Sequence, residues 1–152
     1  PKLLTLSTLV AATKYMFPNL KSKKDLEQMI DWAIAFWTAA AGILPDDPWR
    51  TQSKEERAIQ RQESLAVSAV VFQALGMLAR DLYLEGVPAE ELVNWLGRLQ
   101  EIDWQRENEL WRERGVTHVG AQEGAIISNT KTIVDACHRV LREFIGIAPI
   151  AV

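Results

Sequence analysis

The chain is poor in the residues that most often bind metals or form disulfides. Its 152 residues include one cysteine, Cys137, and two histidines, His118 and His138. A single cysteine excludes an internal disulfide and fits a reducing cytoplasm. Neither histidine has a second ligand at a spacing typical of metal sites, so we predict no metal site and no cofactor. Cys137 falls on the apolar stripe of the last predicted helix, and we expect a buried, unreactive thiol.

Excess positive charge and long hydrophobic runs are also lacking. Seventeen basic and 20 acidic residues give a net charge of −3, whereas a free-standing nucleic-acid binder is usually basic. The longest apolar region, residues 65–79, is interrupted by Ser68 and Gln73 and is too short to cross a bilayer. No signal peptide is visible. We therefore expect a cytoplasmic protein that does not contact a membrane.

Apolar residues recur every three or four positions along the chain, which predicts an all-α fold. We predict a bundle of five or six helices with one glycine-containing loop or small hairpin near residues 112–125. The helices are expected over residues 7–17, from a Ser22 cap to 44, from 53 to 84, from Pro88 to about 102, and from Ser128 or Asn129 to Gly146. Residues 1–152 are interpreted as one domain. Because the chain begins at Pro1 without methionine, we expect a C-terminal fragment whose upstream domain is a partner.

The periodicity also predicts which side chains face the core. Residues 65–79 are expected to be the most buried segment, in the second half of one long helix that begins at a Ser53–Glu56 capping box. On the last helix His138 is expected on the polar side, as a surface histidine. Two predicted inward faces complete the core: Leu26, Ile30, Ala33, Trp37, Ala40 and Leu44 on the second helix, and Ile133, Cys137, Val140, Leu141 and Phe144 on the last.

The segment from Trp95 to Trp111 holds three of the six tryptophans. Tryptophan buries a large apolar area and has one N–H group that needs a partner, so this density indicates a rigid aromatic corner. We expect Asp103 to cap a short helix that runs to Trp111. The structural aromatic residues predicted from the sequence are Trp37, Trp95, Trp104 and Trp111.

Basic residues lie in and after the same segment. Arginine beside aromatic rings can hold phosphate and stack on bases, which makes this group a candidate nucleic-acid or partner-binding surface. The alternative is that the arginines form ion pairs with Glu101, Glu107, Glu109 and Glu113, which balance them in formal charge. The candidate binding residues are Arg98, Arg106, Arg112, Arg114 and His118.

No residue pattern in the chain indicates catalysis. The glycines at 115, 120 and 124 are too widely spaced for a phosphate-binding loop. The charged residues near Glu55 and Glu56 read as a solvated helix face. We therefore predict no catalytic residues and no enzymatic activity for this chain, and an enzyme fragment is the least supported hypothesis for its function.

The chain resembles the C-terminal part of the DGQHR-domain family, which includes DndB-like proteins linked to bacterial DNA phosphorothioation. The resemblance is carried by Phe36-Trp37, Leu44-Pro45, Trp49 and the run 73–76, and it extends to the entry segment 3–7. The closest similarity is the run 99–108, Leu-Gln-Glu-Ile-Asp-Trp-Gln-Arg-Glu-Asn, followed by Trp111. The motif that names the family, Asp-Gly-Gln-His-Arg, is absent.

The resemblance implies a place in a DNA-modification or defence system and supplies no catalytic residue for this chain. We therefore expect a non-catalytic helical domain for regulation or assembly, with transcriptional regulation of the locus as one such role. Its implied partners are the upstream domain, other DNA-modification proteins, and DNA through the full-length protein. The alternative is a DNA-binding module that uses the arginine and tryptophan surface around residues 98–114.

Overall fold

The structure is a computed structural model, and it describes residues 12, 15–16, 23–45, 53–122 and 124–148. These residues include six named α-helices and one two-stranded antiparallel hairpin, which confirms the predicted all-α bundle and the predicted hairpin. Ala12, Tyr15 and Met16 are helical, but the rest of the predicted 7–17 helix and the predicted Ser22 cap lie outside the described residues. The elements are α1 Lys23–Ile43, α2 Lys54–Glu63, α3 Ala69–Leu84, α4 Leu92–Gly97, α5 Glu109–Glu113, β1 His118–Val119, β2 Ala125–Ile126 and α6 Lys131–Ile145.

Helices α3 and α6 form the most extensive contact between elements. Leu75 and Leu78 of α3 and Leu141 of α6 are fully buried there, and they belong to one continuous hydrophobic cluster. The prediction that residues 65–79 are strongly buried is confirmed, since most of their apolar side chains have almost no exposed surface. Gly76 of α3 lets another segment approach closely, because a Cβ atom there would lie 2.1 Å from the carbonyl oxygen of Ala12.

The prediction of one long helix over residues 53–84 is wrong. The capping box at Ser53 and Glu56 is present, but the helix ends at Glu63, and a 3₁₀ turn, Leu65–Val67, precedes α3. Ser68 then caps α3 by accepting a hydrogen bond from the amide of Val71. Serine side chains compete for backbone hydrogen bonds, and Ser64 and Ser68 thus interrupt a pattern that looks continuous by hydrophobicity alone.

The predicted inner face of α1 is wrong at its N-terminal half. Leu26 and Ile30 are exposed, whereas Met29, Trp32 and Phe36 are buried. The helix is apolar on two adjacent faces, so the periodicity does not decide which of them meets the core. The contact is fixed by Trp32, whose ring N–H donates to the carbonyl of Val87, and by the stacking of Trp32 on Phe36.

The helix after Pro88 is shorter than predicted, because 3₁₀ turns at Ala89–Glu91 and Arg98–Glu101 flank α4. The predicted cap of the last helix is also wrong: Thr130, and not Ser128 or Asn129, accepts a hydrogen bond from the amide of Ile133. Gly146 ends α6 in the left-handed conformation, with φ of 82°, as the sequence predicts.

Candidate functional site

The aromatic corner is formed by Trp104 and Trp111. Both side chains are buried, and their ring centroids lie 5.7 Å apart. The indole N–H of Trp104 donates to the carbonyl of Leu99 at 3.3 Å, and that of Trp111 donates to the carbonyl of Asp103 at 2.9 Å. Both polar atoms are therefore satisfied by backbone within the corner, which leaves neither indole N–H available to a ligand.

The other two tryptophans named from the sequence lie differently. Trp95 of α4 is half-buried and packs against the hydrophobic cluster. Trp37 of α1 is also half-buried, and its ring stacks on Phe72 of α3 with the centroids 5.8 Å apart. Trp37 thus joins α1 to α3 and does not take part in the contact between Trp104 and Trp111.

Asp103 does not cap the short helix, contrary to the sequence prediction. Its carboxylate accepts hydrogen bonds from the amide of Gln105 at 2.9 Å and from the side chain of Asn108 at 3.0 Å. Asn108 is the cap of α5, since its side-chain oxygen accepts from the amide of Leu110. The aspartate therefore fixes a backbone turn that begins five residues before the cap Asn108. Aspartate favours such turns because its side chain can accept hydrogen bonds from nearby backbone amides.

Backbone pairing connects this turn to the break between α2 and α3. The amide of Leu65 donates to the carbonyl of Trp104 at 2.8 Å, and the amide of Arg106 donates to the carbonyl of Glu63 at 2.7 Å. Ser64 and Gln105 pair as an isolated antiparallel bridge. These bonds satisfy groups that the helix ends leave open, so the serine break and the tryptophan corner form one unit.

The four candidate arginines contact four different places in the bundle. Arg98 donates to the carbonyl of Ile145 at 3.0 Å, at the C-terminal end of α6. Arg106 donates to the carbonyl of Arg61 at the end of α2. Arg112 pairs with Glu109 at 3.0 Å on the surface of α5, and Arg114 pairs with Glu143 of α6.

Two of these arginines satisfy helix ends. A guanidinium at the C-terminus of a helix is favourable, because the last carbonyl groups lack partners and carry partial negative charge. Arg98 occupies this position at α6, and Arg106 occupies it at α2. Burial lowers the pKa of Arg106, which indicates that its side chain is partly removed from water.

The remaining two candidate arginines form ion pairs that are open to solvent. The side chains of Arg112 and Arg114 keep 54% and 38% of their surface exposed. Hydrogen bonding to Glu143, opposed in part by burial, raises the pKa of Arg114, and the same bond lowers the pKa of Glu143. Of the ion pairs predicted from the sequence, the one between Arg112 and Glu109 is present, whereas the partner of Arg114 is Glu143 and is distant in sequence.

His118 lies on the exposed side of the hairpin. It is residue one of β1 and stands opposite Ile126 of β2. The hairpin is attached to the corner by Glu107, whose carboxylate accepts a hydrogen bond from the amide of Ala125 at 2.9 Å. His118 is therefore presented to solvent next to the corner, on a backbone that the corner positions.

A cavity of about 310 Å³ opens beside the corner. Its polar lining is formed by Ser64, Gln100, Asp103 and Gln105, and Trp104 with Ile43, Pro45 and Ile102 forms the apolar part. None of the described residues that line it is basic, and none of the four candidate arginines is among them. The candidate arginines and this cavity are thus separate features.

A second polar cluster, absent from the sequence prediction, lies between α3 and α6. His138 is buried, with its Nε2 atom 2.5 Å from the carboxylate of Asp81, so its predicted place on the polar surface is wrong. Arg142 contacts the same carboxylate oxygen of Asp81 and also donates to the carbonyl of Ala148. The four-residue spacing places His138 and Arg142 on one face of α6, and this is visible in the sequence. It indicates a polar cluster only when Asp81 of α3 is known to lie opposite that face.

The electrostatics of this cluster match a structural role. Burial alone would raise the pKa of Asp81, but the hydrogen bonds and charges of His138 and Arg142 together outweigh it and hold the pKa below its ordinary value. The side chain of His138 is only 4% exposed, so a substrate has little access to it. Nearby, burial raises the pKa of Cys137 to about 12, which keeps it a thiol at neutral pH and agrees with the predicted unreactive cysteine.

Among the described residues, no group of three or more histidine, cysteine, aspartate or glutamate side chains could hold a metal ion. The same part of the chain contains no helix long and apolar enough to span a bilayer. The fold and the site together define an all-α domain in which a buried tryptophan pair and ionic contacts join the helices.

This chain belongs to the DndB family, described as DNA-sulfur modification-associated, and the match covers residues 1–148. The family implies involvement in DNA sulfur modification. No curated protein and no solved structure matches the chain.

Proposed function

We propose that this chain is a non-catalytic, cytoplasmic helical domain that serves regulation or assembly in a bacterial DNA sulfur modification system. The supporting observation is the family match over residues 1–148, taken together with the use of the polar side chains. Asp81, His138, Arg98 and Arg106 bind other parts of the bundle. A domain whose charged groups are occupied in this way suits the support of a partner better than chemistry on a substrate.

The proposal is tested by relating function to folding in the protein that carries this chain. Single substitutions His118→Ala, Gln100→Ala and Asp103→Ala each remove a side chain with access to solvent. The measured quantities are the phosphorothioate content of genomic DNA and the transcript level of the locus, alongside the melting temperature of each purified variant. If the domain is non-catalytic, both cellular readouts should change only in variants with a lowered melting temperature, lowered abundance or weaker co-purification with the other modification proteins.

A variant that keeps the parent melting temperature, abundance and co-purifying proteins but loses phosphorothioate formation would contradict the proposal. Such a result at His118 would assign chemistry to the hairpin. Gln62→Ala, which changes an exposed glutamine on α2 away from the cavity lining, serves as the matched control for Gln100→Ala.

A DNA-binding module is the second candidate function, and the exposure of Arg112 and Arg114 favours it. Each contact between a basic side chain and a phosphate releases counterions from the DNA. In a plot of the logarithm of the binding constant against the logarithm of the salt concentration, each such contact makes the slope more negative by roughly one unit. For a domain of net charge −3 we expect weak binding to duplex DNA without sequence preference, which falls sharply between about 50 and 200 mM salt.

A mobility-shift titration of duplex DNA separates the two candidates. The double variant Arg112→Ala, Arg114→Ala is compared with Arg80→Ala, which removes an exposed arginine of α3. Tight, salt-resistant and sequence-selective binding that only the double variant abolishes would support the DNA-binding module and contradict the assembly proposal. Weak binding that responds similarly to all the variants would support assembly.

A further inference from the structure

The polar residues that line the cavity beside the corner share one chemical property. Each of them has an oxygen atom in its side chain that can accept a hydrogen bond, and they are Ser64, Gln100, Asp103 and Gln105. The ring of Trp104 forms part of the same lining. The volume of about 310 Å³ lies at the small end of the range for ligand sites. The cavity therefore suits a small, flat group that is rich in hydrogen-bond donors.

Asp103 keeps acceptor capacity on both oxygens of its carboxylate. One oxygen accepts from the amide of Gln105 at 2.9 Å, and the other accepts from the side chain of Asn108 at 3.0 Å. Each carboxylate oxygen has two lone pairs, so each can accept a second hydrogen bond. The two existing bonds also fix the orientation of the carboxylate. A ligand thus meets an acceptor that is already held in place, which lowers the cost of binding.

The three neutral polar residues of the lining have free acceptor sites as well. Gln100 and Gln105 are exposed, and neither side-chain amide has a hydrogen-bond partner among the described residues. Ser64 is only 3% exposed, and in the same part of the chain its hydroxyl oxygen accepts one bond, from the amide of Ala66 at 3.2 Å. A hydroxyl oxygen can accept two. The lining can therefore receive several donors from a single ligand.

The fixed charge in the described lining is negative, because Asp103 is its one ionisable side chain. Of the described charged residues next to the lining in sequence, Glu63 and Glu101 are exposed carboxylates, and Arg106 directs its guanidinium to the carbonyl of Arg61. A phosphate or carboxylate ligand would meet a like charge here, which is unfavourable. A cation gains from the same charge and can also donate charge-assisted hydrogen bonds to it.

We propose that this cavity binds a guanidinium group. A guanidinium is planar, is permanently charged and has five N–H donors and no acceptor, so it matches a carboxylate surrounded by further acceptors. It also packs favourably against an indole ring, which Trp104 supplies. Two sources present such a group: a free guanidino compound and an arginine side chain of another protein. The inference rests on the cavity lining alone, so its failure would leave the role proposed above in DNA sulfur modification untouched.

Three small probes separate charge from shape. The compound n-butylguanidinium presents the planar cation, n-butylurea has nearly the same shape without the charge, and pentanoate presents a negative charge on a similar alkyl chain. Binding to the purified full chain is measured by isothermal titration calorimetry and by NMR shifts of backbone amides. We expect n-butylguanidinium to bind at least about tenfold more tightly than n-butylurea and than pentanoate. The largest shifts are expected over residues 100–105.

Two substitutions in the lining change its charge in opposite directions. Asp103→Asn should weaken binding of n-butylguanidinium by about tenfold or more, whereas Gln100→Glu, which adds a second carboxylate, should strengthen it by about threefold or more. Glu101→Gln and Gln62→Glu are the matched controls, because they make the same changes at exposed residues outside the described lining. Both controls should leave the affinity within about twofold of the parent, since solvent and salt screen their charges. Gln100→Glu keeps the proposal testable if Asp103→Asn disturbs the turn at Gln105.

Absence of n-butylguanidinium binding would overturn the proposal, as would equal or tighter binding of n-butylurea or pentanoate. Equal losses with Asp103→Asn and Glu101→Gln would also overturn it, because the effect would then be one of net charge alone.

The blocked peptide acetyl-Gly-Arg-Gly-amide distinguishes the two sources of the group. Binding of the peptide as tightly as n-butylguanidinium would support the proposal with an arginine of another protein as the ligand. Binding of n-butylguanidinium without binding of the peptide would support it with a free guanidino compound.

Discussion

Trp111 illustrates how single side chains hold this domain together. It is fully buried, it contacts Trp104, and its N–H binds the carbonyl of Asp103. Replacement of Trp111 with alanine would leave a large cavity and remove that bond, so we expect a loss of about 3–5 kcal/mol in the free energy of unfolding. Urea denaturation measures the free energy of unfolding of each variant. The comparison is Trp95→Ala, which should lose less stability because Trp95 is only half-buried. A loss below about 1 kcal/mol for Trp111 would show that the corner does not stabilise the fold.

Gly146 is required by its backbone conformation and by its neighbour. Its φ of 82° is strained for any residue with a Cβ atom, and that atom would lie 2.7 Å from the guanidinium of Arg98. Gly146→Ala should therefore lower the free energy of unfolding by about 1–3 kcal/mol. Gly42→Ala is the comparison, because nothing lies within 4 Å of a Cβ atom at Gly42 and the residue is helical. Equal or higher stability of Gly146→Ala would contradict this account of the end of α6.

Asp81 links the stability of the domain to pH. Its pKa in the folded state is below the ordinary value of 3.8, so its contribution is fully present above that value and is lost as the pH falls through the folded pKa. Between about pH 6 and pH 3 the parent should lose more unfolding free energy than Asp81→Asn does. Denaturant titrations across this range test it, with Asp31→Asn as an exposed control. Parallel pH profiles for the parent and Asp81→Asn would refute the assignment.

At the scale of elements, the caps decide where the helices begin. Thr130 caps α6 by accepting from Ile133, whereas Ser128 precedes the helix without capping it. Thr130→Ala should therefore cost about 1 kcal/mol, and Ser128→Ala should cost little. Thermal denaturation of both variants tests the assignment. A larger loss of stability for Ser128→Ala than for Thr130→Ala would contradict this assignment and support Ser128 as the cap.

The sequence predicts the elements better than it predicts their orientation. The apolar run 65–79, the Ser53–Glu56 box and Gly146 identify burial, a helix start and a helix end through local chemistry. The break at Ser64 depends on pairing with Gln105, forty-one positions later, and no local pattern contains that information. Likewise, the inner face of α1 depends on which surface Val87 and α4 offer to it.

The candidate site is predictable to a similar extent. The clustering of Trp104 and Trp111 is visible in the sequence because the residues are close together along the chain. The partners of Arg114 and His138 are 29 and 57 positions away. The packing of α3 against α6 brings Asp81 to His138, and the position of α6 beside the end of α5 brings Glu143 to Arg114. The contacts between residues that are far apart in the sequence could therefore not be predicted from the sequence alone.

At the scale of the whole molecule, the central claim is that Arg98 and Arg106 stabilise the bundle by binding the ends of its helices, as the proposed role in assembly requires. Arg98 binds the carbonyl of Ile145 at the end of α6, whereas Arg112 forms an exposed pair with Glu109. Substitution of Arg98 removes a contact inside the bundle, whereas substitution of Arg112 removes only a surface ion pair. Comparison of the two variants therefore distinguishes a structural arginine from a surface arginine.

Equilibrium urea unfolding of Arg98→Met and Arg112→Met tests this claim most directly. We predict a loss of about 1–2 kcal/mol for Arg98→Met, because a charged donor at a helix C-terminus is removed, and a change within about 0.5 kcal/mol for Arg112→Met. Unchanged stability in both variants, together with loss of duplex DNA binding in both, would show that these arginines serve a nucleic-acid surface and would contradict the account.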